Sequence, residues 1–414
     1  MKKQDIKIHI IGAGISGLIA AIVLEEKGYS PTIIEATDRV GGRVKTDLVD
    51  GYQLDHGFQV LLTGYPAAQK YLDYKALNLQ KFLPGAVIIK GGKQKILGDP
   101  LRNLSLLFPT LFSGIGNFSD KLRILRLNTQ LKKKTVSQIF NDPEQTTLEY
   151  LKQFGFSDDM INQFFKPFFS GIFLELKLET SSRMFQFVYK MFGEGYAAIP
   201  KAGMEAIPIQ LAQKLKNTSF KFNSKVIHIN EREITLTDQS KLNSDYIIVA
   251  TDSSRLMPSK VSQLTQWRSC DTLYFETETR VIDKKLIGLF PEQESLVNNV
   301  FYHTSIDSAG RPKKELLSAT VIDRQNLSDE LLIDRVKSDL KIFGGIDTNR
   351  LIRMYSIPNA LPKLDDLKYE KSFSELQISD RVFLAGDTQL NGSLNAAMIS
   401  GENAALGILE LLNK

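Results

Sequence analysis

The stretch "HIIGAGISGL", His9–Leu18, decides the fold. A short apolar strand runs straight into Gly12-x-Gly14-x-x-Gly17 and on into a helix pattern. Gly12 permits a tight turn, Gly14 lets a diphosphate approach the backbone, and Gly17 with Ala21 lets the helix pack close to the strand. A diphosphate would rest on the N–H groups of the turn and helix start, at Ala13, Ile15 and Ser16, favoured by the helix dipole.

Working outward, Gly28 closes the helix and "PTIIEA" reads as a second strand, which makes a βαβ opening. Glu35, followed by Ala36, stands at the end of that strand. An acidic residue there accepts hydrogen bonds from adenosine ribose hydroxyls and repels a 2′-phosphate. "EATDRVGGRVKT" then adds a second glycine turn, Gly41-Gly42, flanked by Arg39 and Arg43. Nicotinamide dehydrogenases need no such turn. A longer dinucleotide can use its N–H and guanidinium groups for further diphosphate and ribityl oxygens, so the pattern favours FAD over NAD.

The chain has 414 residues, which predicts two domains or one large composite fold. A net charge of +5 without a long basic block gives no sign of nucleic-acid binding. Cys270 is the only cysteine, and His9, His56, His228 and His303 are scattered, so neither a disulfide nor a metal site is expected, a hard-cation site built from carboxylates alone staying open. "MKKQDIKIHI" has no apolar core of a signal peptide, and the expected location is the cytoplasm.

Residues 99–196 read as mostly helical, and 219–251 as short strands. Residues 271–353 read as strands with one helix near Asp329–Ile342. The chain closes with the strand "RVFLAGD" and a long helix from Asn395. "KGGK", "SGIGN" and "FGGID" lack the strand and acidic residue of a dinucleotide loop, which argues against a second, NAD(P)H site.

"GAGISGLIAAIVLEEKG", "IIEATDRVGGR" and "VFLAGDTQLNGSLNAAMISGENAA" together resemble the flavin-containing amine oxidase superfamily, which includes monoamine oxidases, protoporphyrinogen oxidases and phytoene-desaturase-like enzymes. "AAIPKAGMEAIPIQLAQKL" resembles its P-x-G-G-M helix entrance, with Ala202 in place of the first glycine, and "DGYQLDHGFQVL" the start of its substrate domain. The resemblance implies an α/β protein: a discontinuous, GR2-type Rossmann-like FAD-binding domain with an inserted α+β substrate domain of mixed sheet and helices. The expected division is 1–50, 200–254 and 374–414 for FAD, and 51–199 and 255–373 for the substrate. It implies that Gly12, Gly14 and Gly17 hold the diphosphate, Glu35 the ribose, and Arg43 with Gly41-Gly42 the diphosphate or ribityl chain. Val226 would meet the adenine, Gly386 and Asp387 a diphosphate or ribityl oxygen, and Asn395, Ala396 and Met398 the flavin ring. Gln59, Leu390 and Asn391 are expected at the substrate pocket.

FAD is expected to be non-covalent, because the C-terminal flavin-facing segment has no Cys or His. The family's amine oxidases place an aromatic residue just before the last helix, as half of a cage for the amine. "DTQLNGSLNAAM" has none. This moves the expectation toward dehydrogenation of a C–C or C–N unit in a largely apolar substrate, with dioxygen or another acceptor taking the electrons. An amine oxidase with an atypical cage, a structural flavin and a non-redox isomerase stay open as alternatives. No residue is singled out for proton abstraction. Phenylalanines in "INQFFKPFFSGIF" and "RMFQFVYKMFGEGY" read first as core, with some free to line an apolar pocket. "LSLLFPTLFSGIGNF" is too short to span a bilayer; with the basic stretch after it, residues 104–134 leave open a peripheral membrane contact, the solvated amphipathic helix being slightly preferred.

Overall fold

The computed structural model describes residues 3–100, 102–254, 256–257, 264–310 and 312–413. The expected domain boundary at Arg255 lies outside them, as do Met1 and Lys414. The glycine turn sits at the tip of a six-stranded sheet. Its order is Ser219–Lys221, Thr32–Ile34, Ile8–Ile11, Tyr246–Val249, Val382–Leu384 and Gln377–Ser379. The first five strands are parallel and the last is antiparallel. Helix Ile15–Glu26 is buried from Ile15 to Leu24, as expected where helices cover a parallel sheet. Helix Leu394–Leu412 crosses it so closely that a Cβ on Gly401 would stand 2.2 Å from the Ser16 carbonyl oxygen. The two ends of the chain therefore share one layer.

A seven-stranded sheet forms the other large layer. Its order is Leu351–Lys363, Gln266–Thr277, Glu315–Val321, Val297–Tyr302, Ile287–Leu289, Gly85–Lys90 and Lys93–Gly98. It is mixed, because Ile287–Leu289 runs parallel to Gly85–Lys90 and the remaining neighbours are antiparallel. Helix Asp329–Gly344 buries Leu332, Val336 and Leu340 in a core shared with Phe275, Val300 and Leu317 of this sheet. Helices Phe118–Lys133, Val136–Phe140, Thr147–Phe154, Lys166–Phe173 and Ser182–Glu194 form the predicted helical block, with Phe165, Phe169, Phe173, Phe185 and Phe187 fully buried between them.

Two further glycine pairs shape turns, and one edge strand runs past the region read as strands. "KGGK" is a hairpin turn between Gly85–Lys90 and Lys93–Gly98, with Gly91 and Gly92 at positive φ. "FGGID" ends a helix, Gly345 taking the left-handed conformation. Leu351–Lys363 is a single strand despite Pro358 and Pro362; it lies at the sheet edge, where a missing N–H breaks no ladder.

Candidate active site

The two glycine turns lie against each other. Gly41 N donates to the Ala13 carbonyl at 2.9 Å, and a Cβ on Gly42 (φ +60°) would be 3.3 Å from Gly14 Cα. Gly12 takes φ +105°, and a Cβ on Gly17 would stand 2.1 Å from Gly12 O, so Gly17 serves the helix packing rather than the cavity wall. Gly14 differs, since a Cβ there would meet nothing within 4 Å. It faces the large cavity of about 1660 Å³ that its neighbours Gly12, Ile15, Ser16, Gly41 and Gly42 also line. Bare backbone over open space beside a helix start suits a bulky anion such as a diphosphate.

Glu35 and Ala36 line the same end. The Glu35 carboxylate accepts from Ala13 N, Thr37 N and Thr37 Oγ1, each at 2.8 Å, so it also fixes the first turn. Val226 reaches this cavity from strand Val226–Ile229. Arg43 and Asp387 line it and form an ion pair, while Arg43 also donates to the Ala360 carbonyl and stacks 5.1 Å from the Trp267 ring. Gly386, at φ +140°, donates its N–H to Ser400 Oγ at 2.9 Å. Gln59 and Asn391 are on the wall too: Gln59 donates to the Arg43 and His56 carbonyls, and Asn391 Oδ1 accepts from Ser393 Oγ.

Several expected residues point elsewhere. Arg39 turns away into Glu205 and Asp47, at 2.7 and 2.8 Å, and is not on the cavity wall. Ala13 is fully buried, its N–H committed to Glu35. At the last helix, Ser393 caps Ala396 N at 3.0 Å and the wall is formed by Ser393, Leu394 and Ala397. Asn395, Ala396 and Met398 lie on the covered side, wholly buried, with Asn395 Oδ1 accepting from Ala67 N. Helical periodicity explains the error, because one face of the first turn sees the cavity and the adjacent one sees the core. Leu390 is likewise buried in the core.

The structure adds groups that lie far apart in sequence. His56 and Tyr355 line the cavity with ring centroids 4.5 Å apart, and both bond to Asp47 Oδ2 at 2.8 Å. Burial alone would raise the Asp47 pKa, but hydrogen bonds from His56, Tyr355 and Arg39 prevail and hold it at about 2. Behind them Asp55 is wholly buried. It accepts from Thr46 Oγ1 at 2.5 Å and Met204 N at 2.9 Å, and burial, reinforced by Glu205, pushes its pKa up to about 6. Trp267 and Cys270 also face the cavity, the Cys270 thiol being pushed up to about 12 by burial and Asp271. Beyond them the walls become apolar: Phe58, Phe82, Phe164, Phe168, Phe173 and Phe192. Among the described residues no cluster of His, Cys, Asp or Glu is placed to hold a metal ion.

A parallel sheet with two apposed glycine turns, opening into an apolar chamber, defines a flavin-dependent oxidoreductase. The family model for flavin containing amine oxidoreductases matches residues 15–409, and the chain belongs to that family. Its cofactor is a flavin. The chain is 31% identical over 270 residues to L-amino acid oxidase Lm29 of Lachesis muta, a match covering 59% of this chain and 51% of that protein. It thus spans about half the length of that curated relative. Among solved structures it is similar to an Exiguobacterium protein assigned as a protoporphyrinogen oxidase, with a TM-score of 0.73, 17% identity and coverage of 99% and 100% of the two chains. It is also similar to putrescine oxidase bound to putrescine, with a TM-score of 0.69, 17% identity and coverage of 98% and 99%.

Proposed function

We propose that this protein removes a hydride from a largely apolar organic substrate. The observation that carries this reading is the continuity of the cavity, which runs from Gly14 and Ser16 past Asp387 and Ser393 to the phenylalanine walls. In it, residues of 1–50, 200–254 and 374–414 hold FAD, and 51–199 with 255–373 shape the substrate end. Gly12, Gly14, Ile15 and Ser16 receive the diphosphate, Glu35 the adenosine ribose, and Val226 the adenine. Arg43, Gly41 and Gly42 meet the diphosphate or ribityl chain. Bound FAD supplies a two-electron acceptor.

The remaining work falls to the protein. The N-terminus of helix Leu394–Leu412 offers N–H donors where negative charge develops on reduction. Arg43 pairs with Asp387 and holds its carboxylate against the cavity. The aromatic walls exclude water and hold an apolar substrate in line for transfer, where proximity and orientation supply the advantage. No strong base is required, which agrees with a chamber whose His56 is tied to Asp47. Electrons leave to dioxygen or another acceptor.

A second reading, an amine or amino-acid oxidase with an unusual cage, is favoured by the Lachesis muta relative and by Glu144, Glu179 and Arg268 on the chamber wall. Anaerobic titration of the purified holoprotein separates the two. Bleaching of the flavin by reduced tetrapyrroles or polyenes, followed by reoxidation in air, supports the first, and bleaching by amines alone supports the second. A flavin that neither class reduces would refute both and favour a structural or isomerase role.

A further inference from the structure

Residues 104–125 carry a patch that the chemistry above leaves unused. Leu104, Phe108, Phe112 and Phe118 are 80%, 69%, 81% and 68% exposed. They sit on and around two helices, Leu107–Leu111 and Phe118–Lys133, rather than scattered over the surface. Single exposed apolar residues are ordinary, but a contiguous group this large marks an interaction surface. The adjoining residues Leu107, Leu111, Phe118, Leu122 and Leu125 are exposed and also line the chamber, so the patch surrounds its mouth.

The charge along this stretch of chain is mostly positive, with exposed Asp159 reaching in to accept from Gly116 N. Lys93, Lys95, Arg126, Lys132 and Lys133 are exposed. Between residues 93 and 134 the only acidic residues are Asp99 and Asp120. Asp120 is buried, accepting from Asn117 N and from Ser157. An apolar face with a basic border matches the two terms that seat a protein on a bilayer: insertion of side chains at the acyl boundary and attraction to anionic headgroups. Among the described residues no helix is long and apolar enough to cross a membrane, so the contact would be peripheral.

We propose that this patch docks on an anionic lipid surface and that the chamber takes its substrate from the lipid side. Only the second half of this rests on the apolar-substrate reading.

The test is sedimentation of the FAD-loaded protein with vesicles of phosphatidylcholine alone and of phosphatidylcholine mixed with phosphatidylglycerol. Binding to the mixed vesicles at low salt, weakened by high salt, is the expected result. The double variant Phe108→Asp with Phe112→Asp, both outside the chamber wall, should lose at least roughly tenfold in partitioning. Its flavin spectrum and melting temperature should be unchanged. A wild-type protein that stays in the supernatant, or a variant that binds as well as wild type, overturns the proposal. So does a dimer in sedimentation velocity that the variant dissolves without any vesicle binding, since that assigns the patch to a second copy. Vesicle binding without flavin reduction by any apolar compound would leave the docking intact and remove the substrate reading.

Discussion

Asp55→Asn probes the most unfavourable charge near the site. Asp55 is buried behind the His56–Asp47–Tyr355 group, and its pKa rises from 3.8 to about 6, first because of burial and then because of Glu205. Between pH 4 and 6 the unfolded chain gives up this proton while the folded chain keeps it. The unfolded state then binds fewer protons, so stability falls as pH rises through that window and is level above it. The difference of about 2.2 pH units corresponds to about 3 kcal/mol. The substitution keeps an Oδ1 acceptor for Thr46 Oγ1 and Met204 N, so it removes the ionisation and little else. The variant should therefore match wild type near pH 4 and exceed it by about 3 kcal/mol at pH 7, which for a chain of this size is an increase in Tm of about 3 °C. Thermal melts of both proteins from pH 4 to 8, at saturating FAD, measure it. Melting curves that stay parallel across the range would refute the raised pKa of buried Asp55.

Gly17→Ala should abolish stable FAD retention, because the new Cβ would stand 2.1 Å from Gly12 O; a variant purified with full flavin absorbance sinks the close-packing account. Phe169→Ala should cost about 3–5 kcal/mol of stability, its ring being fully buried among Phe165, Phe173 and Phe185 at the cavity lining, and a loss under 1 kcal/mol by denaturant titration would refute tight packing around that ring. Trp267, the single tryptophan, lines the cavity beside Arg43, so its fluorescence should fall as FAD is added to the apoprotein; an unchanged signal contradicts a flavin path past Arg43. Acid precipitation should leave the yellow colour in solution, and a yellow pellet would mean a covalent bond.

The strand–turn–helix at each end was legible because its signals are local: an apolar run, glycines at fixed offsets, and a capping serine at Ser393. Arg39 shows where local reading stops. Two arginines flank the same glycine pair, but whether each meets a ligand depends on Asp47 and Glu205, and Glu205 arrives from a distant helix entrance. Tyr355 was illegible for a similar reason. It lies on an edge strand whose burial does not alternate and which contains two prolines, and it meets Asp47 only through the tertiary fold. The face of the last helix was misread because a periodic apolar segment gives the helix, whereas the direction of its open side is fixed by the packing of Ala67 and Ser16 against it.

The contact between Gly401 and Ser16 has a consequence for biosynthesis. During translation the strand Ile8–Ile11 leaves the ribosome well before its neighbour Tyr246–Val249, the next strand Val382–Leu384 and the covering helix Leu394–Leu412. The glycine turn cannot acquire its full surroundings until then, and the phenylalanine-rich helices from Phe118 to Glu194 are already outside the tunnel. Such long-range closure slows folding and leaves apolar surface uncovered in the meantime. The nascent chain should therefore depend on chaperones until its final helix docks, and truncations within that helix should accumulate as aggregates rather than as a soluble apoprotein.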